Sequence, residues 1–175
     1  EVNIKILVGE VVAAGDMTEK QRNKLLVEMT DEVGDLVLRD NYLQSQAISN
    51  AFAGGGDALD AQVRLIRMLE REGRLNREIE YLPDDEELAR RTAAHQGLTR
   101  PEISVLMPYA KLWLYDEVLK SDLPDDPILV EELVRYFPTA VRKKYSAAIS
   151  SHRLKREIIA TVGTNSLVNR VGGTF

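Results

Sequence analysis

The two histidines are the side chains in this sequence that could bind a metal or transfer a proton near neutral pH. His95 and His152 lie in polar surroundings, and no Asp, Glu or His stands at the spacing that marks a metal site. Cysteine is absent, which removes thiolate catalysis, disulfides and cysteine zinc sites. We therefore expect both histidines to be surface residues, and the sequence predicts no catalytic and no metal-binding residue.

Three consecutive glycines, Gly54–Gly56, could form a phosphate-binding turn. No strand pattern precedes them, the G-x-G-x-x-G spacing is missing, and no Lys-Ser or Lys-Thr pair follows. Since glycine loses much backbone entropy in a helix, we predict that the glycines end a helix and form a flexible linker. We expect no cofactor-binding residue in this chain.

A basic row at helical spacing is formed by Arg64, Arg67, Arg71 and Arg74. Acidic residues interrupt it, so a solvated helix face is favoured over a surface that holds an acidic partner or phosphates.

Asp40 and Gln44 are the most informative polar residues. They are four residues apart, and both project near the centre of an apolar stripe at helical spacing, made by Val33, Leu36, Val37, Leu43 and Ala47. A carboxylate on an apolar face needs a hydrogen bond or a charged partner. Pairing inside the chain is favoured for Asp40, and contact with a neighbouring domain is the alternative. Asn165 raises the same question more weakly, and Trp113 is interpreted as a core residue.

The elements that position these residues are helices. Thr18 with Gln21 forms a capping-box pattern, and Thr30 begins a longer helix that runs to about Ala51. A further helix, capped by Asp57, ends at Gly73. Residues 74–97 are polar, contain one short charged helix, and are expected to lie outside the core.

The second half of the chain contains the clearest helix start. Thr99, Pro101 and Glu102 begin a buried helix that runs to about Lys120, and Pro108 inside it predicts a kink. Further helices start at Asp126 and Thr139, and a final amphipathic helix uses Leu154, Ile158 and Val162. The interpretation of Glu1–Val12 stays open, because its apolar residues fit a strand as well as a helix.

Composition agrees with a folded chain. Its 175 residues are 44% hydrophobic and 29% charged, with a net charge of -5. These values are typical of a soluble globular protein, and they argue against a nucleic-acid partner. No run is long enough to cross a membrane and no signal-peptide pattern is present. The absence of cysteine fits a reducing compartment, so a cytoplasmic location is expected. We predict an all-α fold, an irregular bundle of about eight to ten helices without a sheet.

Seven segments, in order along the chain, are similar to the large bacterial NAD-dependent glutamate dehydrogenases. They are EVNIKIL at 1–7, LVLRDNYLQSQA at 36–47, LTRPEISVL at 98–106, YAKLWLYDEVLKSDLPDDP at 109–127, RYFPT at 135–139, HRLKREIIAT at 152–161 and LVNRVGGTF at 167–175. Gly54–Gly56 and Pro108 depart from the family pattern.

The resemblance implies that the catalytic lysine and aspartate and the NAD-binding fold lie upstream of this chain. Residues 1–16 would trail from the catalytic core, with a helix and not a strand at Glu1–Ala14. Residues 17–175 would form a C-terminal helical domain with possible sub-lobes 17–97 and 98–175. The parent enzyme would convert L-glutamate, NAD and water to 2-oxoglutarate, ammonia and NADH. The expected partners are the upstream catalytic domain and, in a homo-oligomer, further copies of the enzyme.

Three roles fit such a region: structural support, subunit contact or regulation. The alternative is a free-standing helical scaffold that uses the Arg64–Arg74 face to bind another protein. An independent hydrolase or metal enzyme is disfavoured, because no nucleophile stands near a base and no ligand spacing is present.

Overall fold

The structure is a computed structural model that describes residues 1–174. Within this range the chain is helical and contains no strand, which confirms the predicted all-α class. Nine α-helices follow one another in the described chain: α1 Val2–Ala13, α2 Glu19–Glu28, α3 Thr30–Ala53, α4 Gly55–Arg71, α5 Asp85–Ala93, α6 Arg100–Lys120, α7 Val130–Tyr136, α8 Thr139–Ser150 and α9 Lys155–Val171. Two short 3-10 helices, Leu123–Asp125 and Pro127–Leu129, lie between α6 and α7. No helix among the described residues has the length and apolar character that spanning a membrane requires.

Helix α1 settles the choice that the pattern of residues 1–12 left open. Its buried residues are Ile4, Leu7, Val8 and Val11, which recur at the helical spacing. The helix expected from the family resemblance is therefore confirmed.

The predicted helix starts are confirmed where a capping box was recognised. The Thr18 side chain accepts a hydrogen bond from the Gln21 N–H at 3.3 Å, and the Gln21 side chain accepts one from the Thr18 N–H at 2.8 Å. At the start of α6, Glu102 Oε2 accepts from the Thr99 N–H at 2.7 Å. Helix α6 continues through Pro108 as one element from Arg100 to Lys120. The kink at Pro108 stays a prediction.

The chain divides into two compact units by its internal contacts. Unit 1 consists of Glu1–Asn41 and Val118–Gly163, and unit 2 of Tyr42–Glu117 and 164–174. The boundaries fall within helices α3, α6 and α9. The division into 1–16 and 17–175, with sub-lobes at 97 and 98, stays a prediction.

Unit 1 has an apolar core built from its helices α1, α2, α7 and α8 and the first part of α9. Its most deeply buried side chains include Leu7, Met29, Leu133, Phe137 and Ile149. The ring of Tyr136 meets that of Phe137 edge to face, with centroids 5.2 Å apart. Leu154, Ile158 and Val162 of the last helix join this core, as predicted.

Unit 2 has its core between α4, α5 and α6. The expectation that residues 74–97 lie outside the core is wrong, because Leu75, Leu82 and Leu88 are buried in it. These leucines are separated by polar residues, so the average polarity of the segment concealed three core positions. Trp113 is half-buried and packs against this core, in agreement with its predicted role.

The glycine triplet does not form a flexible linker. Helix α3 ends at Ala53 and α4 begins at Gly55, so only Gly54 separates them, and Asp57 lies in the first turn of α4 instead of capping it. A Cβ on Gly56 would come within 2.6 Å of the His95 carbonyl. Glycine is needed here because two backbone segments approach closely, and a sequence-based entropy argument misses that requirement.

Candidate functional site

The two histidines occupy opposite environments. His95 is exposed, and its Nε2 lies 3.3 Å from an Asp57 carboxylate oxygen, so the surface prediction is confirmed for this residue. His152 is only 1% exposed, so the same prediction is wrong for it. Neither histidine belongs to a metal-binding cluster, since the described residues contain no group of three or more His, Cys, Asp or Glu that could hold an ion.

His152 joins distant parts of unit 1 through both ring nitrogens. Its Nδ1 accepts a hydrogen bond from the Leu154 N–H at 3.0 Å, and its Nε2 lies 3.1 Å from the Asn3 carbonyl oxygen. A nitrogen that accepts carries no proton, so the geometry corresponds to the neutral ring with its proton on Nε2. The ring also contacts Phe137, with centroids 5.7 Å apart. This arrangement connects α1 to the start of α9 and leaves no ring nitrogen available for a substrate.

Glu32 of α3 performs a similar structural task at the start of α8. Its carboxylate accepts hydrogen bonds from the Thr139 N–H at 2.9 and 3.0 Å and from the Thr139 hydroxyl at 2.8 Å. The backbone N–H of Thr139 lowers the pKa of Glu32. A carboxylate at a helix N-terminus satisfies unpaired N–H groups and interacts favourably with the helix dipole.

Two half-buried arginines organise ionic networks in unit 2. Arg91 binds Glu102 through both terminal nitrogens, at 2.7 and 3.0 Å, and Glu87 at 2.6 Å. Burial raises the pKa of Glu102, but the hydrogen bonds from Arg91 and Thr99 together lower this pKa by more than burial raises it. The net pKa is therefore below its usual value. The group therefore stays ionised and paired, which suits a structural ion pair better than a proton donor.

The second network shapes the loop between α4 and α5. Arg77 binds the Glu70 carboxylate at 2.6 and 2.9 Å and the Asp85 carboxylate at 3.0 Å.

In the basic row, Arg64, Arg67 and Arg71 are exposed. Arg74 is half-buried and binds Asp116 at 2.6 Å. Three members of the row thus lie on a solvated face, as the favoured interpretation required. Two members form ion pairs, the exposed Arg67 with Asp85 at 3.4 Å and the half-buried Arg74 with Asp116.

Helix α3 carries an unusual apolar surface within unit 1. Its residues Leu36, Val37 and Leu38, which we name the apolar ridge, expose 40%, 55% and 67% of their surface. Ala47 is the one residue of the predicted stripe that is fully buried within the described α3. The apolar stripe predicted for α3 is therefore exposed at Leu36 and Val37, whereas the helix itself is confirmed.

An apolar groove adjoins this ridge. It has a volume of about 360 Å³ and lies between α1, α2 and the start of α3. The residues that line it are Glu1, Ile4, Lys5, Leu26, Val27, Met29, Thr30 and Val33. Val27 exposes 75% of its surface. Val33 precedes Leu36 by three residues and Val37 by four, so these side chains are neighbours on the helix surface. The groove therefore continues into the ridge along one side of the helix.

Asp40 and Gln44 lie half-buried just beyond the ridge. Both engage neighbouring groups, so neither side chain is without a partner. Whether Asp40 also contacts a neighbouring domain stays a prediction. Asn165 of α9 is likewise half-buried.

Sequence reasoning missed His152, Glu32 and the arginine networks. The partners of His152 and Glu32 are 149 and 107 residues away, so no local pattern could reveal them. The ion pair between Arg91 and Glu87 could have been predicted from the sequence. Arg91 follows Glu87 by four residues on a predicted helix, and this spacing favours ion pairs.

Two family models match this chain. Residues 1–51 match the model described as bacterial NAD-glutamate dehydrogenase, catalytic domain. Residues 95–175 match the model described as glutamate dehydrogenase, C-terminal.

Whole-chain similarity extends to curated proteins of three bacteria, each described as an NAD-specific glutamate dehydrogenase. Over all 175 residues the chain is 53% identical to the protein of Pseudomonas aeruginosa, 50% to that of Halomonas elongata and 44% to that of Mycobacterium tuberculosis. In each comparison the chain spans 11% of the length of the relative.

Proposed function

We propose that this chain is a helical region of a large bacterial NAD-dependent glutamate dehydrogenase and that it supplies no catalytic residue. The chain belongs to this family of enzymes. The parent reaction is the oxidative deamination of L-glutamate to 2-oxoglutarate and ammonia, with hydride transfer to NAD. The parent enzyme is cytoplasmic and acts as a homo-oligomer in this proposal. The observation that carries it is the similarity, over all 175 residues, to proteins named NAD-specific glutamate dehydrogenase.

The residues present do not fit NAD. Binding of its pyrophosphate typically uses a strand, a glycine-rich turn and a helix N-terminus open to the ligand. Residues 1–174 contain no strand, and of the three glycines Gly54 alone lies between α3 and α4, while Gly55 and Gly56 belong to α4. His95 already packs against Gly56 at the start of α4. We therefore place NAD binding in the part of the enzyme outside this chain.

A supporting role is favoured by what the polar groups do. The buried His152, the capping Glu32 and the paired Glu102 each bind backbone or side-chain groups of the same unit. Such contacts stabilise helix packing and leave these groups engaged. The exposed apolar surface of α3 gives the region a means of contacting the rest of the enzyme, either within one subunit or between subunits.

The activity is tested on the native, full-length polypeptide isolated from its source cells with an antibody against this chain. A polypeptide much larger than 19.7 kDa that reduces NAD in the presence of glutamate supports the proposal. A native product near 19.7 kDa without this activity contradicts it and supports the free-standing scaffold.

The structural role is tested by reversing one charge. In the full-length enzyme, Asp40→Arg should reduce the amount of assembled protein and the glutamate-dependent NAD reduction, because Asp40 is half-buried beside the apolar ridge. Asp35→Arg makes the same charge change at an exposed position of the same helix and is the matched control. Normal stability, oligomeric state and activity of the Asp40 variant would refute the role.

A further inference from the structure

The apolar ridge cannot be covered by a single neighbouring helix face. Successive residues of an α-helix point in directions about 100° apart, so Leu36 and Leu38 project on nearly opposite sides. All three ridge residues are nevertheless exposed. The ridge is apolar over about 200° of the helix circumference, which is wider than the stripe of a helix that buries a single face. Residues 1–174 leave this apolar surface exposed.

The surroundings of the ridge have the pattern of a contact site. Asp35 and Arg39 bracket it along the chain, and both are exposed. An apolar patch with polar residues at its edge is a common feature of surfaces that bind another protein segment. The apolar groove extends this patch towards α1 and α2, with Val27 exposed and Val33 half-buried.

We propose that the apolar ridge and groove form a packing surface for the part of the catalytic domain that lies outside these 175 residues. This inference rests on the proposed function only in taking the chain as part of a longer polypeptide. Both features lie wholly within residues 1–51, the range that matches the catalytic-domain family model. Segments of one domain share one hydrophobic core. The apolar side chains that this segment leaves uncovered therefore pack against the remainder of that domain.

The relative lengths agree with this occupant. The chain spans 11% of the relatives that it matches, so most of such a polypeptide is available to cover the surface. A second copy of the chain is the competing occupant, and the experiment below distinguishes the two.

The surface is tested by cysteine labelling of the full-length enzyme. The 175 residues contain no cysteine, so a labelled peptide from this region identifies the introduced residue even if the rest of the enzyme contains cysteines. Leu38→Cys is compared with Gln46→Cys, an exposed polar position on the same helix. We expect native Leu38→Cys to react with maleimide at least about tenfold more slowly than the control, because burial restricts access, and at the same rate after denaturation. Equal native rates would overturn the proposal. If Leu38→Cys fails to fold, Leu36→Cys is used with the same control.

The occupant is identified by a photo-crosslinking amino acid at position 38. A crosslink to a catalytic-domain peptide outside residues 1–175 that leaves the denatured mass equal to one chain supports the proposal. A crosslink that doubles the mass assigns the surface to a second copy and overturns it, as does a crosslink within the 175 residues. Neither readout requires activity. If the cysteine at position 38 is protected and the crosslink joins it to a catalytic-domain peptide of the same chain, but the enzyme cannot oxidise glutamate, the proposed function alone is refuted. If the enzyme is fully active but this cysteine is not protected, the packing surface alone is refuted.

Discussion

Replacing His152 tests whether the buried ring is a structural connector. His152→Leu keeps a side chain of similar volume but removes the acceptor of the Leu154 N–H and the donor to the Asn3 carbonyl. Leaving a buried polar group unsatisfied costs about 1–3 kcal/mol. Loss of the ring contact with Phe137 adds about 0.5–1.5 kcal/mol. Since some of these groups will gain water, we expect the free energy of unfolding to fall by about 3 kcal/mol.

A second substitution separates the two hydrogen bonds. His152→Asn places a carbonyl oxygen near the position of Nδ1 and can keep the bond from Leu154, but it cannot reach Asn3. We expect a smaller loss, about 2 kcal/mol, which includes the space left by the shorter side chain. The same change at the exposed His95 is the control. His95 has a φ of 54°, a conformation that asparagine tolerates well, so its stability should change by less than about 0.5 kcal/mol.

The assay is urea-induced unfolding of the 175-residue chain, followed by the helical circular dichroism signal. The reasoning requires the order His95→Asn, His152→Asn, His152→Leu from least to most destabilised. If His152→Leu were within about 1 kcal/mol of the parent chain, the two hydrogen bonds would contribute little net stability. The structural interpretation of His152 would then be refuted.

Two further predictions concern a carboxylate and a pair of glycines. Glu32→Gln should destabilise the chain by about 1 kcal/mol at neutral pH, as loss of a helix cap does. Because Thr139 lowers the folded-state pKa of Glu32, this stabilisation is fully present above the unfolded carboxyl pKa, near 4.5, and disappears as the pH falls through the lowered value. Unfolding measured from pH 7 to pH 3 should show the parent and the variant converging, and a constant difference would contradict the assignment. Gly56→Ala should destabilise by about 1–3 kcal/mol, because its Cβ would meet the His95 backbone at 2.6 Å. Gly163→Ala in α9, where nothing lies within 4 Å, should stabilise by about 0.5–1 kcal/mol, and equal effects of the two changes in thermal unfolding would disprove this explanation.

Local sequence signals predicted most helix starts because capping depends on residues three positions apart. Thr18 with Gln21 and Thr99 with Glu102 form the expected capping boxes. The helical course of residues 1–12 needed the family resemblance, because apolar periodicity alone fitted two structures. In the structure, the buried residues Ile4, Leu7, Val8 and Val11 follow the helical spacing.

The failures have a common physical cause, which is contact between residues far apart in sequence. Gly56 was assigned to a linker from backbone entropy, but its requirement comes from His95, which follows it by 39 positions. His152 was assigned to the surface from its polar neighbours, whereas Asn3 and Phe137 enclose it. In both cases packing between distant segments outweighed the local preference.

The proposed contact role is supported by a contrast between the buried polar side chains and the exposed apolar surface of α3. Buried polar side chains are largely engaged inside their own unit: His152 binds Asn3 and Leu154, and Gln62 accepts from the Leu98 N–H at 3.4 Å. Groups held in this way are poorly placed to take part in chemistry. The apolar surface of α3, by contrast, is left exposed to water in residues 1–174. Since burial of apolar area is a dominant favourable term in association, this exposed surface is the feature of the region that supports the contact role we propose for it.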